Sequence, residues 1–198
     1  MAIGDRFEEV LAAARLGERG AFETIYRDLA PLVLGYLRSN RARDPEDLTS
    51  EVFIAVVRNL GSFTGNEKSF RSWVLTITHR RLIDDFRHQS RRPEDPTLPD
   101  DVQARMEPTD ETPETEVLDL LATQSVHHIL DSLTEDQRAV ITLRILGDMP
   151  IKEVAAILDK PETAVKSLQH RALATLARHL EGPEESATHQ YPPDRPGR

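Results

Sequence analysis

Apolar side chains recur at three- and four-residue steps in the first half of the chain, and this spacing predicts helices rather than strands. One repeat begins after Asp44 and Pro45, a capping residue followed by a favoured first helical residue, and it ends at Gly61. A second helix is expected to end near Gln89, before Pro93. The apolar positions of the first helix are Leu48, Val52, Phe53, Val56, Val57 and Leu60, and those of the second are Phe70, Trp73, Val74 and Ile77.

The second half of the chain shows helical spacing interrupted by clear start and stop signals. One helix is predicted over residues 117–133, and a capping box formed by Thr134 and Gln137 opens the next. That helix stops at Gly147, and a short helix opens at Pro150. No segment has the alternating pattern of a strand, so the predicted fold class is all-α.

The last predicted helix follows a tight turn at residues 159–161 (Asp-Lys-Pro). Its apolar positions are Val165, Leu168, Ala172, Leu176 and Leu180. Two short helices around such a turn, the second one longer, have the outline of a helix-turn-helix, whose second helix enters the major groove of DNA.

Composition divides the chain into two small helical domains. Residues 93–116 contain five prolines and hardly any large apolar side chains, which predicts a flexible, extended linker. The domains are accordingly expected at residues 5–92 and 117–180, and residues 181–198 are expected to form a disordered tail.

The net charge of −9 argues against nucleic-acid binding until its distribution is considered. Residues 70–92 hold six arginines against two acids, whereas residues 93–116 hold nine acids against one arginine. The acidity is therefore concentrated in the linker, and a basic stripe directly precedes it.

Several classes of protein are excluded or disfavoured. The chain has no cysteine, which excludes disulfides, cysteine-based zinc sites and a cysteine nucleophile. We find no secretion signal, no apolar run of membrane-spanning length and no phosphate-binding glycine loop. No catalytic residue, metal ligand or cofactor site is predicted, so we do not expect an enzyme.

Three polar groups are candidates for binding. The exposed side of the last helix carries Lys166, Ser167, Gln169, His170 and Arg171, which suit phosphates and base edges. The arginine stripe suits DNA phosphates, and Asp47 and Glu51 share one helix face that suits protein docking. A simply solvated helix face remains the alternative in each case.

The chain resembles the extracytoplasmic-function (ECF) sigma factors of the sigma-70 family. The segments DPEDLTSEVFIAVVRNL from Asp44 and FRSWVLTITHRRLIDDFRHQSRR from Phe70 resemble their domain 2. The segment from Leu133, LTEDQRAVITLRILGDMPIKEVAAILDKPETAVKSLQHRALATL, resembles their domain 4. The two signatures occur in the family's order, on either side of a variable linker.

The resemblance implies a role for each candidate group. Docking on the clamp coiled coil of the polymerase largest subunit is implied for Asp47, Leu48, Glu51 and Val52. Contacts with the −10 promoter element are implied for Ser62, Phe63, Lys68, Arg80, Arg81 and Arg87. Reading of the −35 element is implied for Lys166, Ser167, His170 and Arg171.

The implied function is promoter-specific initiation in the bacterial cytoplasm. The expected partners are core RNA polymerase, contacted at its clamp and flap, promoter DNA and an anti-sigma factor, without membrane insertion. Two alternatives remain open: a stand-alone helix-turn-helix transcription factor, and a sigma-mimicking interaction module that titrates an anti-sigma factor.

Overall fold

The computed structural model describes residues 3–91 and 129–180, and every regular element within these two ranges is helical. The all-α prediction is confirmed for this part of the chain. The predicted linker and tail, and most of the helix predicted over 117–133, lie outside the described residues, so the domain limits stay a prediction.

The first range forms four helices linked by short turns. They are α1 (Phe7–Arg15), α2 (Arg19–Ser39), α3 (Pro45–Asn59) and α4 (Glu67–Arg91), with short 3-10 turns at Gly4–Arg6 and Leu60–Ser62. Helix α3 begins with proline as predicted, but the Asp44 side chain makes no capping hydrogen bond. The helix ends two residues before Gly61, because the chain tightens into the second 3-10 turn.

The core of this first unit is aliphatic at its centre and aromatic at one end. Val33 and Leu37 of α2 are fully buried, as are Val52 and Val56 of α3 and Val74 of α4. At the end near the α3–α4 loop, four rings pack at centroid distances of 5.0–5.5 Å: Phe7, Phe63, Phe70 and Trp73. Burying each large apolar side chain is worth about 1.5–3 kcal/mol.

The second range begins with a helical segment that ends at Asp131. It continues with α5 (Glu135–Ile145), α6 (Ile151–Leu158) and α7 (Glu162–Leu180). Both hydrogen bonds of the predicted capping box at Thr134 are present. Arg138, only 2% exposed, donates to the carbonyl oxygens of Leu130 and Leu133, so it ties α5 to the segment before it.

The two units pack directly against each other. Residues of the second unit join the main buried cluster of the first: Val140, Leu143, Met149, Val154, Ala155, Val165 and Leu168. Buried Asn40 donates to Thr142 Oγ1 at 3.1 Å, and Arg41 donates to Asp131 Oδ1 at 2.9 and 2.6 Å. The sequence contains no signal for this contact between units.

Candidate functional site

The helix-turn-helix forms as predicted. Helix α6 ends at Leu158, and Asp159 adopts the left-handed conformation with φ 50°, which reverses the chain before α7 starts at Glu162. The Lys160 amide donates to the carbonyl oxygen of Ala155, and its ammonium group lies 3.0 Å from a carboxylate oxygen of Asp136. The turn is therefore held both by its own backbone and by α5.

Helix α7 separates its buried and exposed sides clearly. Val165 and Ala172 are fully buried and Leu168 is 9% exposed, so this side packs on α5 and α6. The four side chains predicted to read DNA are all exposed and lie within two turns: Lys166, Ser167, His170 and Arg171. Gln169 is half-buried. Thr163, exposed in the first turn of α7, adds a polar group that sequence reasoning missed.

The residues predicted to contact the −10 element divide into exposed and buried members. Ser62 is exposed and donates to the carbonyl oxygen of Asn59 at 2.8 Å. Phe63 is only 6% exposed and packs on Phe70 and Trp73, so its ring is not available to stack on a base in this arrangement. The aromatic cluster buries the ring, and the contact of Phe63 with the −10 element stays a prediction.

Arginine and glycine shape the loop around Phe63. The Arg15 guanidinium donates to the carbonyl oxygens of Leu60 and Phe63 and so ties the loop to α1. Gly65 has φ 145°, and a Cβ atom there would lie 3.1 Å from the Phe63 ring and 3.0 Å from the Ser69 Cβ. Only glycine fits this loop without strain.

Three arginines of α4 are at least partly exposed, and two of them have carboxylate neighbours. Arg80 is exposed, whereas Arg81 lies 3.7 Å from Glu51 and Arg87 lies 3.4 Å from Asp84. Because these pairs are largely exposed, each contributes little to stability. Their cations can therefore exchange a carboxylate for a phosphate at small cost.

The predicted docking face of α3 also divides into two sides. Asp47 and Glu51 are exposed on one side, as predicted, but Leu48 is 6% exposed and Val52 is fully buried. Leu48 and Val52 therefore belong to the buried core of the helix bundle, and their docking role stays a prediction.

Two apolar side chains stand beside the docking carboxylates. Ile54 is 51% exposed and Val57 is 49% exposed. Val57 belongs to the apolar repeat of α3, but the helix turns this position towards solvent. Sequence reasoning missed both residues as surface groups, since periodicity does not distinguish an apolar side chain that stays exposed.

A cleft of about 480 Å³ separates α4 from α5 and α6. Arg80 and Arg87 line it from the first unit. The acidic residues Glu135, Asp136 and Asp159 line it from the second unit. Two arginines of the basic stripe thus line a cleft that also holds carboxylates of the second unit, together with its cations Arg138 and Lys160.

His79 also lines this cleft, and its Nδ1 lies 2.9 Å from the hydroxyl group of buried Tyr36. Burial lowers the pKa of His79, an effect that the nearby Asp136 carboxylate partly opposes. Burial also raises the pKa of the Tyr36 hydroxyl, so Tyr36 stays protonated. The pair is therefore neutral near pH 7.

We expect the chain to lose stability as the pH falls below about 6.5, the usual pKa of histidine in an unfolded chain. Because the pKa of His79 is lowered in the folded state, the unfolded state binds more protons there, and stability rises with pH. One such proton gives a slope of at most about 1.4 kcal/mol per pH unit. Urea unfolding between pH 5.5 and 7.5 measures this slope.

The matched variants are His79→Gln and His88→Gln. Glutamine can form a hydrogen bond with the Tyr36 hydroxyl without titrating, so His79→Gln should reduce the slope, and exposed His88 provides a control for the loss of a histidine elsewhere. Equal slopes for all three proteins would contradict the assignment to His79.

Metal binding and a membrane-spanning helix find no support among the described residues. Among the described residues, no group of three or more His, Cys, Asp or Glu is placed to hold a metal ion. A search of the same residues found no helix with the length and hydropathy needed to cross a membrane. What the geometry does provide is one exposed polar helix face, one basic stripe and one acidic-apolar face.

Comparison with known proteins gives two family matches in the order of the two units. The model for Sigma-70 region 2 matches residues 25–92, and the model for Sigma-70, region 4 matches residues 123–176. Together they cover more than half of the chain. The first match contains α3 and α4, and the second contains α5, α6 and most of α7.

Individual relatives agree with the family models. The chain is 33% identical over 177 residues to the ECF RNA polymerase sigma factor BldN of Streptomyces coelicolor, covering 88% of this chain and 66% of that protein. It is 32% identical to the ECF RNA polymerase sigma factor SigX of Bacillus subtilis, covering 81% of each chain. Among solved structures, CnrH in complex with the cytosolic domain of CnrY matches with a TM-score of 0.60 and 25% identity, covering 89% of this chain and 98% of CnrH.

Proposed function

Because this chain belongs to the ECF family of sigma-70-type RNA polymerase sigma factors, we propose that it binds core polymerase and directs promoter-specific transcription initiation. The observation that carries the proposal is the succession of both sigma regions in one chain, with an exposed polar helix face in the second. Catalysis then belongs to the polymerase, and this chain supplies promoter choice.

Helix α7 would read the −35 element in the major groove. Lys166 and Arg171 supply positive charge, and Ser167 and His170 supply shorter polar groups between them on the exposed side. Such side chains bind phosphates and base edges, and each good base contact discriminates by about 1–3 kcal/mol. The buried side of α7 keeps the helix rigid while its exposed side enters the groove.

The loop after α3 and the exposed side of α4 would hold the −10 element. Lys68, Arg80, Arg81 and Arg87 supply cations along one helix, and exposed Ser62 lies in the loop before it. Phe63 would hold the loop after α3 in place by packing on Phe70 and Trp73. The cations neutralise phosphates of melted or adjoining DNA, which is the main source of affinity for nucleic acid.

Helix α3 would dock on the clamp coiled coil of the polymerase largest subunit. Asp47 and Glu51 provide the charged part of this face, and Ile54 and Val57 provide exposed apolar contacts. A charged rim beside an apolar centre is the usual arrangement of a protein interface. The second unit would contact the polymerase flap.

An anti-sigma factor is the further partner that we propose. Support comes from CnrH, which was solved in complex with the cytosolic domain of a second protein, CnrY. The proposed site of action is the bacterial cytoplasm, where the polymerase works.

Run-off transcription tests the proposed function directly. Core polymerase with this chain should give specific transcripts from a promoter selected out of a random DNA library, and neither component should do so alone. The free chain should bind duplex DNA weakly, because its net charge of −9 opposes phosphate attraction.

The same experiment separates the alternatives. A stand-alone helix-turn-helix factor would bind its operator tightly without polymerase. A sigma-mimicking module would give no transcripts with core polymerase. Either result would overturn the proposal.

A further inference from the structure

Arg15, the last residue of α1, binds the main chain of the loop after α3 (residues 60–66), which is proposed to hold the −10 strand. Its Nε donates to the Leu60 carbonyl oxygen at 3.3 Å, and its Nη2 donates to the Phe63 carbonyl oxygen. The Leu60 oxygen also accepts the Phe63 amide at 3.3 Å, which closes the turn that follows α3. One guanidinium group therefore holds two carbonyls of the same loop.

Carbonyl groups at this place in a fold favour a cation. The last carbonyls of a helix have no partner within the helix, and they lie at the negative end of its dipole. Arginine suits them, because its planar guanidinium presents several donors at once and keeps its charge. Arg15 belongs to a different helix, so the position of the loop depends on α1 as well as on α3.

The other end of the loop is held by polar contacts of its own. Asn66 Oδ1 accepts the Ser69 amide at 2.9 Å and the Ser69 hydroxyl at 3.0 Å, which caps the start of α4. The Glu67 carboxylate accepts the amides of Ile3 and Gly4, just before α1, at 2.9 and 3.0 Å. The segment that contains α1 is therefore bonded at both ends of the loop.

Between these ends, the loop presents polar side chains to solvent. Ser62, Thr64 and Asn66 are exposed, whereas the Phe63 ring is buried. The bonded carbonyls and the buried ring together fix the main chain from which these polar groups project. Discrimination between bases requires such fixed groups, because a binding site is specific only when its side chains are held in the productive geometry.

Arg15 lies outside the part of the chain that matches the family, since the match to Sigma-70 region 2 begins at residue 25. We propose that Arg15 is a positioning residue for the −10 element: its guanidinium holds the loop after α3 in the conformation that discriminates the captured base. This inference rests on the proposed function. Arg15 acts through the carbonyls of Leu60 and Phe63 and does not itself contact DNA.

The direct test is Arg15→Met, which removes the donors and keeps most of the side chain's length. Each position of the −10 element in a selected promoter is replaced in turn, and the holoenzyme transcribes the original and the replaced template in competition. A loop that is competent in only about one molecule in ten binds the original base about tenfold more weakly. Binding of the replaced base does not depend on that conformation, so the preference at the captured position should fall by about the same factor.

Two controls accompany this measurement. Replacements in the −35 element should keep their effects in Arg15→Met, because α7 belongs to the other unit. Arg19→Met removes the same charge at the start of α2, from a side chain 93% exposed that pairs with Glu23, and should leave every preference unchanged. The proposal is overturned if Arg15→Met lowers transcription from all templates equally, or if both variants lose the same preference.

The salt dependence of promoter binding separates positioning from a direct phosphate contact. Removing a residue that neutralises a phosphate weakens binding to every sequence and reduces the salt slope by about one. The holoenzyme that contains Arg15→Met should keep the slope of the wild type. A slope reduced by about one would overturn the proposal and assign Arg15 to the DNA-binding surface.

A measurement without polymerase tests the hydrogen bonds themselves. Trp73 is the one tryptophan of the chain, and its ring centroid lies 5.2 Å from that of Phe63. Without the bond to the Phe63 carbonyl, the Phe63 ring is held less firmly against Trp73. Acrylamide should therefore quench the fluorescence of Arg15→Met more strongly than that of the wild type or of Arg19→Met. Equal quenching of all three proteins would overturn the inference.

These outcomes are separable from failure of the proposed function. If the wild-type chain gave no transcripts with core polymerase, the sigma function would be wrong, and quenching would still decide whether Arg15 holds the loop. If the wild-type chain gave transcripts and its preference at every −10 position survived in Arg15→Met, the positioning role alone would be overturned.

Discussion

Replacing Arg171 with alanine should lower run-off transcription from a selected promoter by about 5- to 150-fold, the equivalent of one base contact worth about 1–3 kcal/mol. Binding to core polymerase should not change. Arg171 is exposed on the outer side of α7, and its guanidinium donates to the Ser167 carbonyl oxygen of the same helix at 3.3 Å. Its loss therefore removes a DNA contact without removing a contact that holds the fold together.

The same helix offers a control with the same chemistry. Arg178 is also exposed and also donates to the carbonyl oxygen one turn earlier, Ala174, at 3.4 Å, but it lies in the last turn, away from the groove-facing end. Arg178→Ala removes the same charge and should leave transcription close to that of the wild type. Equal losses in the two variants would assign the effect to net charge rather than to base reading.

Pull-down of core polymerase completes the measurement. If Arg171→Ala reduced polymerase binding as strongly as transcription, α7 would be a docking helix and its −35 role would be wrong. A promoter selected by the variant holoenzyme should also differ at the contacted base pair, because an arginine that donates to a base edge specifies that position.

The helix-turn-helix could be predicted in detail because its boundaries are set by local chemistry. The capping box at Thr134, the reversal at Asp159 and the start of α6 after Pro150 each depend on residues within a few positions. Such signals act before any tertiary contact forms. The exposure of the α7 reading residues follows from the same helical period.

The long helix α2 shows the limit of local signals. Its 21 residues include Pro31 in the interior, which locally disfavours a helix, and the pattern does not predict its course. Helix α2 nevertheless forms, because Leu29, Val33 and Leu37 are buried in the core. Tertiary packing here outweighs propensity.

The contact between the two units could not be predicted for a different reason. Helical spacing shows that Val140 and Leu143 are apolar, but it does not show that they pack against helices of the first unit as well as against their own. Asn40 and Thr142 are 102 positions apart, and neither is unusual in the sequence. The exposure of Ile54 and Val57 could not be predicted either, because the sequence does not distinguish an apolar helix residue that is buried from one that stays exposed.

The double change Asp47→Ala with Glu51→Ala should weaken binding of the chain to core polymerase by about 5- to 30-fold, the equivalent of about 1–2 kcal/mol for two charged side chains at the rim of an interface. Both carboxylates are exposed, and neither contributes to the buried core. The helix should therefore fold normally, as circular dichroism can check. Fluorescence anisotropy of the labelled chain, titrated with core enzyme, measures the affinity.

Because Glu51 also lies 3.7 Å from Arg81, its loss frees a cation for DNA and opposes a net loss of promoter binding. The direct effect on docking is therefore measured without DNA, and Asp47→Ala alone separates the two contributions. Glu8→Ala with Glu9→Ala on α1 removes the same charge from exposed positions on another helix and should leave polymerase affinity close to that of the wild type. If the α3 variant bound polymerase as tightly as this control, docking would lie on another face, and the exposed Ile54 and Val57 would need a different partner.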